Sequence, residues 1–247
     1  MKISKREIIS TTWAHTKNNL PPLIIITFLY LFSMIILFQI FTIMSPGLAK
    51  DITSNNIIQT LTIPRPSIQQ ILFIIAAIFF ITGLNLGFIQ ICLNIVKRNN
   101  YNIKQLFGRF HILVPYIIAT FFYIIANTLV ATPGIIILII YINSNIFQIF
   151  YYIGIFSAII PPFYLSLRLQ FYIYFLVDEE CGLIESIKKS MSISRGHVYQ
   201  LFILGIILSI IIQVSMIPYF LGLIITIPYS KLATTYLYIQ LNMKQLN

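Results

Sequence analysis

Four long runs of the chain carry no Asp, Glu, Lys or Arg: residues 18–49, 66–96, 110–167 and 196–230. A helix rises about 1.5 Å per residue, so ~20 apolar residues cross the roughly 30 Å hydrocarbon layer of a bilayer. Each run suffices for one spanning helix, and the third suffices for two. The pattern predicts an all-α, polytopic membrane helix bundle with six spans, at about residues 20–44, 68–96, 112–142, 146–177, 197–217 and 219–241. Pro21 and Pro22 fit the first turn of the first span, where a missing N–H costs least. A polar loop from Ser45 to Ser67 follows it. The long third run divides near Asn143, Ser144 and Asn145. Pro133-Gly134 and Pro161-Pro162 are expected to kink the third and fourth spans, because neighbouring helices can satisfy the carbonyls that proline frees. An eight-span alternative cuts at both prolines, but its pieces fall below about 17 residues.

Between the spans the period is helical but amphipathic. Ser4 and Glu7 have the spacing of a capping box ahead of Ile8, Ile9 and Trp13. Ile103, Leu106, Phe107 and Phe110 form a second such segment. Leu183, Ile184, Ile187 and Met191 form a third, with Glu185 spaced to pair with Lys188 or Lys189 and Gly196 as a stop. Each precedes a pair of spans, so the chain reads either as three copies of "surface helix, span out, span back" or as ordinary amphipathic segments beside a membrane. All belong to one integral membrane domain, residues 1–247.

Apolar residues make up 58% of the 247 and charged residues 9%, too few to build a water-facing surface. The formal charge of +10 is spread in small groups flanking the spans, which excludes a nucleic-acid patch and fits anionic lipid head groups. Lys2, Lys5, Arg6, Lys17, Lys97, Arg98, Lys104, Arg109, Lys188, Lys189, Arg195 and Lys244 fall on one side of the six-span scheme, and Lys50 and Arg65 on the other. That bias predicts cytosolic termini and cytosolic amphipathic helices in a bacterial inner membrane. The first apolar core is too long for an ordinary signal peptide, although Gly47 and Ala49 have the spacing of a cleavage site. Cys92 and Cys181 suggest no disulfide framework, and His15, His111 and His197 have no ligand at metal spacing, so neither metal nor cofactor is expected.

Within the spans two charges stand out. Arg168 lies ten residues before Asp178, about 15 Å by helix rise, and Lys231 a comparable distance before Lys244. With no carboxylate in any span, the two are candidates for a shared anion or lipid head-group site. Alternatively they extend to the interface, or Arg168 caps loosened carbonyls. Gly83 and Gly87 form G-x-x-x-G, a helix-packing motif within the monomer or at a dimer seam. Asn85 and Asn127 can hydrogen-bond neighbouring helices. The acidic group Asp178, Glu179 and Glu180 favours the start of the next helix through its dipole, or binds a cation. No H-E-x-x-H, G-x-S-x-G or paired intramembrane carboxylates occur, so enzyme chemistry is not expected.

The stretch Ile159-Ile-Pro-Pro-Phe-Tyr-Leu-Ser-Leu-Arg168, then Leu176-Val-Asp-Glu-Glu180, Glu185-Ser-Ile-Lys-Lys-Ser-Met191 and Ser194-Arg-Gly-His197, resembles the YciC-like inner-membrane proteins and the membrane domain accompanying some glycerophosphoryl diester phosphodiesterases. Their pattern runs I-P-G-x-Y-x-x-x-R, V-D-E, E-A-x-x-x-S, x-G-H; here Pro162 replaces its Gly and Ser186 its Ala. The resemblance implies a six-helix integral membrane protein without a transferable reaction. Two functions from different classes therefore stand: a non-catalytic structural or regulatory membrane component, and a transporter or binder of a lipid or amphipathic anion. The sequence names no protein partner.

Overall fold

In a computed structural model, which describes residues 5–44, 67–144, 148–217 and 222–246, the chain is helical, with no strand among the described residues. Helix α1 (Lys5–Asn18) gives way after one residue to α2 (Leu20–Met44). The junction is held by Asn19, whose Nδ2 donates to the His15 carbonyl at 2.9 Å and whose Oδ1 accepts from Tyr101 Oη at 2.8 Å. Helix α3 (Ile68–Val96) starts from a reciprocal cap: Gln70 N donates to Ser67 Oγ at 3.3 Å, and Ser67 N donates to Gln70 Oε1 at 2.7 Å. Two 3-10 turns, Ile103–Phe107 and Phe110–Ile112, lead into α4 (Leu113–Ser144). Ser4, the Ser45–Pro66 loop with its cleavage-site residues, and Asn145 lie outside the described residues.

Helix α5 (Ile149–Leu169) runs through Pro161 and Pro162, as α4 runs through Pro133. Further on, the fourth apolar segment is interrupted at Gln170–Phe171, before α6 (Tyr172–Asp178). Residues from further along satisfy the freed backbone. Helix α7 (Leu183–Ile193) brings Ser190, whose Oγ accepts from Phe171 N at 3.1 Å and donates to the Arg168 carbonyl at 2.9 Å; Ser194 Oγ donates to the same carbonyl at 3.0 Å. A helix can break at such a place only because these hydroxyls replace its own hydrogen bonds. Gly196, at φ +80°, then turns the chain into α8 (Val198–Met216), and α9 (Leu223–Leu246) completes the described residues.

Among the described residues, five segments are long and apolar enough to cross a membrane, at residues 20–43, 68–96, 103–142, 149–178 and 198–216. Only 6% of the most apolar stretch of the third and of the fourth is buried within the protein. Phe121, Leu129, Ile142, Ile149 and Ile217 are each more than 60% exposed, which is tolerable in lipid and not in water. The chain is thus a multi-pass membrane protein.

Burial is concentrated at one end of the bundle. Helix α3, about 44 Å long by its rise, exceeds the hydrocarbon thickness; its first half is largely exposed, while buried residues crowd positions 83–95. Against that buried half pack Leu23 and Ile26 of α2, Leu106, the aromatic face of α6, and α9 from Tyr229 to Leu241. Tyr238 is fully buried, with its ring centroid 5.0 Å from Phe175, 5.3 Å from Tyr174 and 6.1 Å from Phe171. Helix α1 lies along α9, placing Trp13 edge-on to Tyr229 at 6.1 Å and His15 beside Tyr236 at 6.5 Å. At the other end α4 and α5 form a close hairpin, where a Cβ on Gly134 would come within 2.6 Å of Ala158 Cα.

Candidate functional site

The two glycines of the G-x-x-x-G motif face the connector that follows α3. A Cβ on Gly87 would lie 2.5 Å from the Leu106 carbonyl carbon and nearer still to its oxygen, and one on Gly83 would lie 2.5 Å from the Phe110 ring. Asn85, midway between them, is turned about 200° around the helix from Gly83. It therefore points to the opposite side, toward α9, where Lys231 Nζ donates to its Oδ1 at 2.7 Å.

That pair borders a cavity of about 370 Å³. Helix α9 contributes Ser230, Lys231 and Thr234, α8 contributes Leu208 and Ser209, and the interruption after α5 contributes Gln170 and Phe171. Tyr174 closes one wall, with its hydroxyl 2.7 Å from Thr234 Oγ1. An ammonium has three donors, and among the described residues Asn85 is the hydrogen-bond acceptor that Lys231 reaches. The cavity lining contains no carboxylate among the described residues. A charge so placed is costly in an apolar bundle unless an anion or water completes its shell.

Arg168, the other charge that the sequence singles out, is engaged elsewhere. Its Nη2 donates to the Met191 carbonyl of α7 at 2.8 Å, and its guanidinium lies 6.0 Å from the Tyr164 ring centroid. With Ser190 and Ser194 returning bonds to its own carbonyl, Arg168 fastens α5 to α7 from both sides. The cavity lining includes its neighbours Gln170 and Phe171 but not Arg168. The two charges therefore have different partners. Asn127, the other amide singled out in a span, joins α4 to α5: its Oδ1 accepts from Ser166 Oγ at 3.0 Å.

The acidic group acquires partners that no local spacing reveals. Asp178 pairs with Lys97 and accepts from Tyr238 Oη at 3.2 Å, and Glu180 pairs with Arg109. Glu179 takes Lys189 at 2.8 Å and Asn242 Nδ2 at 3.0 Å. Lys189 also meets Glu185 at 2.7 Å, one helical turn back. The hydrogen bonds that Lys189 donates to Glu179 and then to Glu185 hold its pKa above the usual range. Three consecutive carboxylates thus tie α3, its connector, α7 and α9 together beneath the aromatic cluster. Cys92 and Cys181 are free thiols, and burial raises the pKa of Cys181. Among the described residues no three of His, Cys, Asp and Glu gather where they could hold a metal.

No protein-family model, curated protein or solved structure matches this chain.

Proposed function

We propose that this chain is a non-catalytic, six-span protein of a bacterial inner membrane that holds an anionic group at Lys231. One observation carries the reading: the Lys231 ammonium, set among the packed helices, borders a 370 Å³ cavity, is bonded to a neutral amide and faces no carboxylate among the described residues. A phosphate or carboxylate is the group that best completes such a shell, because charge-assisted hydrogen bonds are the strong ones. The remaining polar lining consists of amides and hydroxyls, which orient an anion but supply no acid–base pair for hydrolysis. The sixth span is α9, less apolar than the others because it carries Lys231 and the hydroxyls around it. The basic connectors and both termini then face the cytosol, where anionic lipid is their partner, and the third and fourth spans bend at Pro133 and Pro161-Pro162. Resemblance to the YciC-like proteins over residues 159–202 supports the same architecture.

Native mass spectrometry of the purified chain tests the site. Wild-type protein should retain an anionic adduct that Lys231→Gln loses, whereas Arg168→Gln should keep the adduct and lose thermal stability. Identical adducts on wild type and Lys231→Gln would remove the basis of the proposal.

A further inference from the structure

The anion proposed for Lys231 needs a route and, if it is lipid-borne, a place for its hydrocarbon. A second cleft, of about 390 Å³, opens between α5 and α8, lined by Phe163, Leu167, Phe202, Gly205 and Ile206. Ser209 borders both this cleft and the Lys231 cavity, so the two adjoin at one residue. Gly205 is the second clue. A Cβ at Gly83, Gly87, Gly134, Gly154 or Gly222 would strike a neighbour, so each has a packing reason within the chain. Among the described residues nothing lies within 4 Å of the Cβ position at Gly205. Glycine inside a helix is unfavourable relative to alanine, and here no described residue fills the space it leaves.

Two other clefts lie between α2 and α3, of about 300 and 430 Å³, and neither has a charged residue in its lining or shares a residue with the Lys231 cavity. Hydrocarbon gains little by moving from bilayer to an apolar groove, because lipid tails are as apolar as leucine. A groove becomes selective for one chain only when a head group is anchored beside it, and the α5–α8 groove alone adjoins the anchor among these clefts. We infer that the ligand of the Lys231 cavity is an anionic amphipath whose alkyl chain lies in the groove between α5 and α8, passing Gly205 and Ser209 from the bilayer side. This inference rests on the Lys231 anion site and adds to it the chain and its path.

The test uses the full chain in phosphatidylcholine nanodiscs and dodecyl phosphate bearing a diazirine near its methyl end. After photolysis, tandem mass spectrometry should place the label on the α5 and α8 residues that line the groove. Gly205→Phe, which fills open space, should lower that labelling about tenfold, as should Lys231→Gln, while Lys231→Arg keeps it and shows that charge, not folding, is read. Inorganic phosphate, measured in parallel by the thermal stabilisation it confers, separates the two levels of the argument. If phosphate stabilises wild type but not Lys231→Gln while the label falls on α2 and α3 or ignores Gly205→Phe, the groove inference is overturned and the anion site stands. If neither probe depends on Lys231, both are overturned.

Discussion

Replacing Gly87 with alanine adds one methyl group to the most tightly confined position of α3. The new Cβ would lie 2.5 Å from the Leu106 carbonyl carbon and 2.6 Å from its Cα, against ordinary contacts of 3.4–4 Å. Backbone cannot rotate away as a side chain can, so the 3-10 turn Ile103–Phe107 must shift outward by roughly 1 Å, drawing the fully buried Leu106 with it. Overpacking of this kind costs about 1–3 kcal/mol, and partly unseating a core leucine adds a fraction of the ~2–5 kcal/mol that its removal would cost. Alanine's better helix propensity returns about 1 kcal/mol. The net is about 2 kcal/mol or more, a fall in Tm of roughly 4–8 °C for a chain of this size. Gly205→Ala meets no neighbour and should raise Tm by roughly 2–4 °C from propensity alone. Cys92, fully buried, serves as the reporter: a thiol-reactive dye in detergent, in a Cys181→Ser background, reads unfolding as Cys92 becomes accessible. Equal Tm for Gly87→Ala and wild type, or a change in oligomeric state in place of stability, would show that this glycine faces something other than Leu106.

Other perturbations follow from the same contacts. Ser190→Ala removes the hydroxyl shared by Phe171 N and the Arg168 carbonyl, and should cost about 1–3 kcal/mol in thermal unfolding; a neutral result would mean that the interruption after α5 is stable without it. Asp178→Asn should destabilise more than Glu180→Gln, because the Asp178 side chain is 10% exposed and that of Glu180 is 56% exposed; the Glu180 pair should contribute no more than about 1 kcal/mol and fade with salt. Burial, and then the charge of Arg98, lower the His15 pKa below 6.5. The unfolded chain therefore takes up the proton first, so the contribution is complete above pH 6.5 and stability is lost as pH falls below that value. His15→Gln should flatten this decline in a pH series of melting curves, and an unchanged slope would assign it to another group.

The sequence located the long helices well because hydropathy and helix punctuation are local. Spans anticipated at residues 20–44 and 68–96 coincide with α2 and α3, and those at 112–142 and 197–217 differ from α4 and α8 by one or two residues at each end. The amphipathic segment beginning at Leu183 is α7, and Lys189 takes the Glu185 pairing that its spacing allowed. The interruption at Gln170–Phe171 was not legible, since the hydroxyls that permit it come from Ser190 and Ser194, some twenty residues downstream. Arg168 and Lys231 stood out as isolated charges, but sequence could not say that one would meet the Met191 carbonyl and the other Asn85, across 23 and 146 positions. The acidic triad was legible as a charge cluster and not as a clasp, because Lys97 and Arg109 lie more than seventy residues away. Asn85 carried a signal of its own, a lone amide between two glycines in an apolar helix. Gln170, Tyr174 and Ser209 carried none.

The most direct measurement is an electron cryo-microscopy map of the full chain, enlarged by a bound antibody fragment and held in discs of bacterial lipid. Non-protein density is expected within hydrogen-bonding reach of Lys231 Nζ, filling the cavity beside Asn85. A cavity holding only isolated, water-sized peaks, with Lys231 resting on Asn85 alone, would contradict it.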